Sequence, residues 1–190
     1  MNRHVFAAAT LGLALGLGAC STTTATGGGA TNSEKRASID ANVNGALSKL
    51  YAQDPEARTM VAKARGVLVF PSVVSAGFVV GGSYGQGSLL VGGRPLGYYS
   101  TAAGSVGLLA GADSKAVYIL FMTDESLNKF RASKGWTAGA DASVSLINTG
   151  ASASVDTQTG QKPVVGYVLT NGGLMANLAL DGTKITPLDI

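Results

Sequence analysis

Gly66-Val67-Leu68-Val69-Phe70-Pro71 and, a few residues on, Ala76-Gly77-Phe78-Val79-Val80-Gly81-Gly82-Ser83-Tyr84 are the stretches on which the fold turns. Four consecutive apolar residues, Val67 to Phe70, read as a strand covered on both faces. Pro71 has no N–H to give a ladder, so the strand is expected to stop there. A second strand is expected over 76–84, followed by further strand candidates at 88–91, 96–110, 116–122, 137–148, 151–156, 164–170, 174–180 and 184–188. Turn chemistry separates them: Gly92-Gly93-Arg94-Pro95, Thr159-Gly160, Asn171-Gly172-Gly173 and Asp181-Gly182. One helix interrupts the strands, opening at Thr123 or Asp124 and turning Leu127 and Phe130 inward.

Upstream of Gly66 the period is helical. Ile39, Val43, Ala46, Leu47, Leu50 and Tyr51 share one face, while Lys35, Arg36, Asp40, Asn44 and Lys49 are polar. Asp54-Pro55-Glu56 restarts the chain as a second helix. Asp54 is the expected N-cap, Pro55 the first helical residue and Glu56 a charge at the positive end. Ala57, Met60, Val61 and Ala64 form its apolar face, and Gly66 is expected to end it. The fold class is therefore α+β, with two N-terminal helices and one inserted helix on a long antiparallel sheet. The chain has 27 glycines, about twice the ordinary share. Many of them, such as Gly81, Gly85, Gly104 and Gly166, fall inside strand patterns, where glycine marks bulges and close approach. A strongly bent, barrel-like sheet fits that pattern better than a flat one.

Gly82-x-x-Gly85-x-Gly87 lacks the context of a phosphate loop. It is followed by Ser88-Leu89-Leu90-Val91, another strand, where an anion site needs a helix N-terminus. Catalysis lacks parts as well. His4 is the only histidine and Cys20 the only cysteine, and with 1–19 read as a leader and Cys20 as acylated (below), the mature chain has no His and no thiol for Ser-His or Cys-His chemistry or the usual zinc sites. Asp113, Asp124, Glu125, Asp141 and Asp156 have no spacing that fixes a pair. No enzyme activity, metal or cofactor is expected. A formal charge of +3 falls short of a nucleic-acid footprint.

The N-terminus carries its own message. Asn2-Arg3-His4 is a short basic head, residues 5–19 are apolar, and Leu17-Gly18-Ala19-Cys20 stands where a signal peptide would be cleaved. That tetrapeptide resembles the lipobox of bacterial lipoproteins. The resemblance implies a signal peptide over 1–19 and acylation of Cys20. With Ser21 after the cysteine, it also implies delivery to the outer membrane, lipid-anchored on the periplasmic face. Each buried methylene contributes roughly 0.8 kcal/mol, so two or three chains anchor stably where one binds reversibly. Residues 20–33 (CSTTTATGGGATNS) then read as a lipidated flexible tether, and 34–190 as the folded domain.

Two groups of cations suit an anionic surface. Lys35, Arg36 and Lys49 flank the apolar face of the first helix, a face that packs on a sheet as readily as on lipid. Lys129, Arg131 and Lys134 gather at a helix end beside Trp136, an aromatic suited to membrane interfaces. The plainer reading of that cluster is cations favoured at a helix C-terminus with Gly135 as its cap.

Ala64-Arg65-Gly66-Val67-Leu68-Val69-Phe70-Pro71, 76–82 and Gly85-x-Gly87 resemble the opening of the SYLF domain. Tyr98-Tyr99-Ser100, Gly104-Ser105-Val106-Gly107, Ile119-Leu120-Phe121-Met122 and Gly139-Ala140-Asp141-Ala142-Ser143-Val144 continue the match in order, so that it runs from about Ile39 to the C-terminus. The resemblance implies a lipid-binding module, in some members also an actin-binding one, with an amphipathic helix ahead of the sheet and no catalytic residue. For an exported chain the activity it implies is binding of anionic phospholipid headgroups. The alternative is a non-catalytic structural lipoprotein that contacts other envelope proteins.

Overall fold

The computed structural model describes residues 30–77, 80–106, 111–147, 162–175 and 180–190. The expected signal peptide, Cys20, most of the tether and the strand expected at 151–156 lie outside them.

Helix α1 (Asn32–Gln53) begins two residues earlier than the tether reading implies. The reason is local: Thr31 and Glu34 form a capping box, which satisfies two of the free N–H groups at the helix start. The hydrogen bonds from Thr31 to the Glu34 carboxylate hold its pKa below the ordinary value. Helix α2 (Pro55–Lys63) starts where the sequence places it, with the Asp54 carboxylate accepting from the Glu56 N–H at 2.9 Å.

Strand β1 (Gly66–Gly77) does not stop at Pro71. Val69 pairs with Ser88 and Ser72 with Gln86, so Phe70 and Pro71 together oppose Gly87. The strand passes its proline through a bulge, one of the few places in a sheet where a missing N–H is tolerated. Strands β2 (Val80–Val91) and β3 (Arg94–Val106) complete two long hairpins, β1–β2 and β2–β3, and β4 (Gly111–Phe121) crosses over to pair with the other edge of β1. The expected strands at 76–84 and 88–91 therefore fall partly within β1 and otherwise within a single continuous β2. Helix α3 (Asp124–Ala132) follows, with Thr123 as N-cap and Leu127 and Phe130 buried. It is closed by Ser133, whose hydroxyl reaches the Phe130 carbonyl at 2.7 Å, and not by Gly135.

The long strand expected at 137–148 is two short ones, β5 (Trp136–Thr137) and β6 (Ser145–Leu146). Strands β7 (Val164–Thr170), β8 (Gly173–Leu174) and β9 (Lys184–Pro187) follow. The sheet order is β5-β9-β3-β2-β1-β4-β7-β6, with β8 on β7. The sheet is mixed, because β6 runs parallel to β7. Strand β6 is reached from the opposite edge of the sheet, and only a hairpin obliges the next strand to run antiparallel.

That connection also shows how far the sheet curls. β5 and β6 lie at opposite ends of the order, yet Ser145 is only eight residues along the chain from Thr137. Eight residues span at most about 29 Å, whereas a flat sheet would set its two outer strands roughly 34 Å apart. The sheet is therefore curled into a half-barrel.

Alternating side chains make two cores. Val67, Val69, Tyr118, Leu120, Val165 and Tyr167 meet α1 and α2 on one face. Leu68, Phe70, Val117, Ile119, Phe121 and Val168 fill the inside of the curl with Leu127, Phe130, Trp136 and Ile185. The Tyr118 hydroxyl donates to the Ala46 carbonyl at 2.7 Å and fixes α1 across the strands.

Candidate functional site

The cations expected to act together are held apart. Helix α1 packs on one face of the sheet and α3 on the other. Lys35, Arg36 and Lys49 therefore project from one side and Lys129, Arg131 and Lys134 from the opposite one. A flat surface resting on the first group faces away from the second.

Within each group the roles differ. Arg36 is engaged inside the molecule: its Nε donates to the Ile190 carbonyl at 2.6 Å and its guanidinium lies 6.0 Å from the Tyr98 ring centre. The Lys129 ammonium donates to the Asp141 carbonyl at 3.1 Å. Arg131 sits near Tyr99, whose hydroxyl pKa burial raises and this guanidinium partly lowers. Lys134 is exposed. Trp136 is corrected outright. It is 2% exposed and packs edge-on against Phe121 and Phe130, with ring centres 6.3 and 5.8 Å away, so it is a core residue and offers nothing to a membrane. The apolar face of α1 is likewise spent on the sheet, with Ile39, Val43, Ala46 and Leu50 buried.

What remains on the α1 side lies beyond the helix. Helix α1 crosses the strands and leaves the far part of β1, β2, β3 and β4 bare on that face. Ser114, Val74, Tyr84 and Ala102 are paired positions forming one rung across these four strands. Ala76, Gly82 and Gly104 form part of the next rung. Val80, Tyr84 and Val74 are 72%, 52% and 49% exposed, and within these four strands the rungs carry no charge, the nearest being Lys184 of β9, paired with Ala102. Large apolar side chains grouped in this way on a bare face mark a contact surface.

Where the bare face meets α1 there is a cleft of about 460 Å³, lined by Asn42, Gly45 and Lys49 from the helix and by Ser72, Ser114 and Thr170 from the sheet. Lys35, Asn42 and Lys49 recur every seven residues, so they share one side of α1, the side that borders this face. The site thus combines an apolar floor edged by Lys184, a hydroxyl-lined corner and a stripe bearing two lysines. Sequence reasoning found the lysines and missed the floor. The usable signal was the alternation after Pro71, where Val74 and Ala76 fall in phase and Tyr84 interrupts a run of small residues.

Among the described residues no cluster of His, Cys, Asp and Glu could hold a metal ion, and no helix is long and apolar enough to cross a membrane.

No curated protein matches the chain. The family described as Ysc84, Las17-binding protein actin regulator, matches residues 102–189. That stretch takes in the SYLF-like segments at 104–107, 119–122 and 139–144, while β1 and β2, which the sheet order places between β3 and β4, lie upstream of it. Over residues 102–189 the chain matches the Ysc84 family, that of the SYLF domain.

Proposed function

We propose that this chain is a non-catalytic lipoprotein, acylated on Cys20 and anchored to the outer membrane on its periplasmic face, whose SYLF domain binds anionic phospholipid. The observation that carries the reading is the bare apolar rung of Val74, Tyr84 and Ala102, with Val80 beyond it, beside the Lys35–Lys49 side of α1. Full burial of a large apolar side chain is worth about 1.5–3 kcal/mol. Val74, Val80 and Tyr84 are only partly exposed, so each offers on the order of 1 kcal/mol. Each lysine near an anionic surface adds about 1 kcal/mol. Such a sum, offset by the cost of association, gives weak and salt-sensitive docking. A covalent acyl anchor makes weak docking useful, because it turns the second contact into an intramolecular one.

The experiment uses the full chain with Cys20→Ser, which should incorporate no labelled fatty acid. Floated with anionic vesicles at low salt, this protein should rise with the lipid, and Val80→Ser with Tyr84→Ser should leave it at the bottom. Replacing Lys129, Arg131 and Lys134 by Gln should change little, since those cations face the other way. A Cys20→Ser protein that ignores anionic vesicles would refute phospholipid binding and favour a lipoprotein that contacts envelope proteins.

A further inference from the structure

The inside of the curl holds a second feature, a cavity of about 280 Å³ between the sheet and the C-terminal segment. That is close to the lower end of the range for ligand pockets, roughly 300–1,000 Å³. The sheet register grades its lining. Phe70 and Val117 are paired positions and, with Ile119 and Leu180, make an apolar floor of buried side chains. The next rung carries Lys115, Val73, Thr101 and Ile185, with Thr101 3% exposed. The rung beyond it is Asp113, Ser75, Ser83 and Ala103. Asp181 and Thr183 complete the wall from the C-terminal side. Polarity therefore rises along one axis, from a hydrocarbon floor to two rungs that carry hydroxyls and charges together.

We propose that this cavity binds a single-chain amphiphile with a zwitterionic head, the chain lying on the Phe70–Val117–Ile119 floor. The head meets Lys115 with its anionic group and Asp113 and Asp181 with its cationic one. The lining determines both halves of that assignment. A floor of buried aliphatic and aromatic side chains has no partner for a polar group, so the deep end of the ligand is hydrocarbon. A purely anionic head would face two carboxylates, and a purely cationic head would be driven against a lysine. Burial already pulls the Lys115 pKa down, with the Asp113 charge opposing that shift, so an added anionic group would be favourable there. The inference rests on the lipid-binding reading for its ligand class, but it places the ligand on the opposite face of the sheet from the bilayer surface.

The full chain carrying Cys20→Ser is titrated in solution, below the micelle concentration, with a lysophosphatidylethanolamine. A fatty acid and an alkylamine of the same chain length serve as comparators, and native mass spectrometry gives the stoichiometry. One zwitterion per chain is expected, bound at least about tenfold more tightly than either comparator, a difference near 1.4 kcal/mol. Ala103→Phe should fill the cavity and abolish binding, with Ser83→Leu doing the same from the neighbouring strand if the first variant does not fold. Lys115→Met should erase the preference for the zwitterion over the alkylamine. No binding by the parent protein, or undiminished binding by a folded cavity-filling variant, overturns the site, and a fatty acid bound as tightly as the zwitterion overturns the head assignment. Val80→Ser with Tyr84→Ser should keep the soluble amphiphile while losing vesicles. Vesicle binding without amphiphile binding therefore refutes the cavity alone, and the reverse result refutes the bilayer surface alone.

Discussion

Strand β1 contains both regimes of this molecule. From Gly66 to Phe70 every residue is buried, whereas from Pro71 to Gly77 only Val73 is. The two halves share one backbone, one pair of neighbouring strands and one sheet. They differ in what lies above and below them. The first half is sandwiched between α1 with α2 and the packed inside of the curl. The second half runs out past α1, with a bare face on one side and a cavity on the other. A strand covered on both faces holds the fold together, and one with a bare face and a cavity beside it is free to contact something else. The bulge at Phe70–Pro71 is the boundary between them.

The largest effect expected from this contrast comes from emptying the covered half. Phe121→Ala removes a ring with no exposed surface, tilted against Phe130 with ring centres 4.7 Å apart, and should cost about 3–5 kcal/mol by urea unfolding. Val74→Ala, in the bare half, should fall within about 0.5 kcal/mol of the parent. Comparable losses would mean that the far half is covered in solution.

A smaller contrast uses glycine. A Cβ on Gly87, at the bulge, would collide with the Val69 carbonyl and the Phe70 ring, whereas one on Gly104 would meet nothing within 4 Å. Gly87→Ala should therefore cost about 1–3 kcal/mol, as overpacking does. Gly104→Ala should be neutral or slightly stabilising, since an open strand glycine only adds backbone entropy to be lost. If both were neutral, the bulge would have room that its geometry denies.

The mildest contrast is electrostatic. Burial raises the hydroxyl pKa of Tyr118 and of Tyr167, both in the covered half, above the ordinary value near 10. Their stabilising contribution is complete below the pKa of the unfolded chain. It is lost as pH climbs from there through the folded value, because the unfolded state releases the proton first. Stability should therefore begin to fall above about pH 10, and Tyr118→Phe should make that fall shallower while costing about 0.5–1.5 kcal/mol at neutral pH through the lost Ala46 hydrogen bond. An alkaline slope unchanged in Tyr118→Phe would remove that tyrosine from the account.

Much of this was legible in the residues because it is local. Thr31 with Glu34, Asp54 with Pro55, and Thr123 each cap a helix within a few residues of themselves. The periods of Ile39–Leu50 and Val67–Phe70 show which side chains must be covered. The expectation of a strongly bent sheet came from glycines inside strand patterns, and the curled half-barrel bears it out. What covers a residue is a different matter, because it depends on partners far along the chain. Pro71 breaks a strand by its own chemistry, yet Gly87 on the next strand makes room for the bulge that carries the strand through. Trp136 looks like an interface residue beside three cations, and only the approach of Phe121, Phe130 and Ile185 puts it in the core. The short parallel strand β6 arises because the sheet curls until its two edges can be joined by a few residues. The same holds for the surface and the cavity: α1 is long enough to cross the strands but not to cover their far ends, and that shortfall, set by how the helix docks, decides which residues are left to bind.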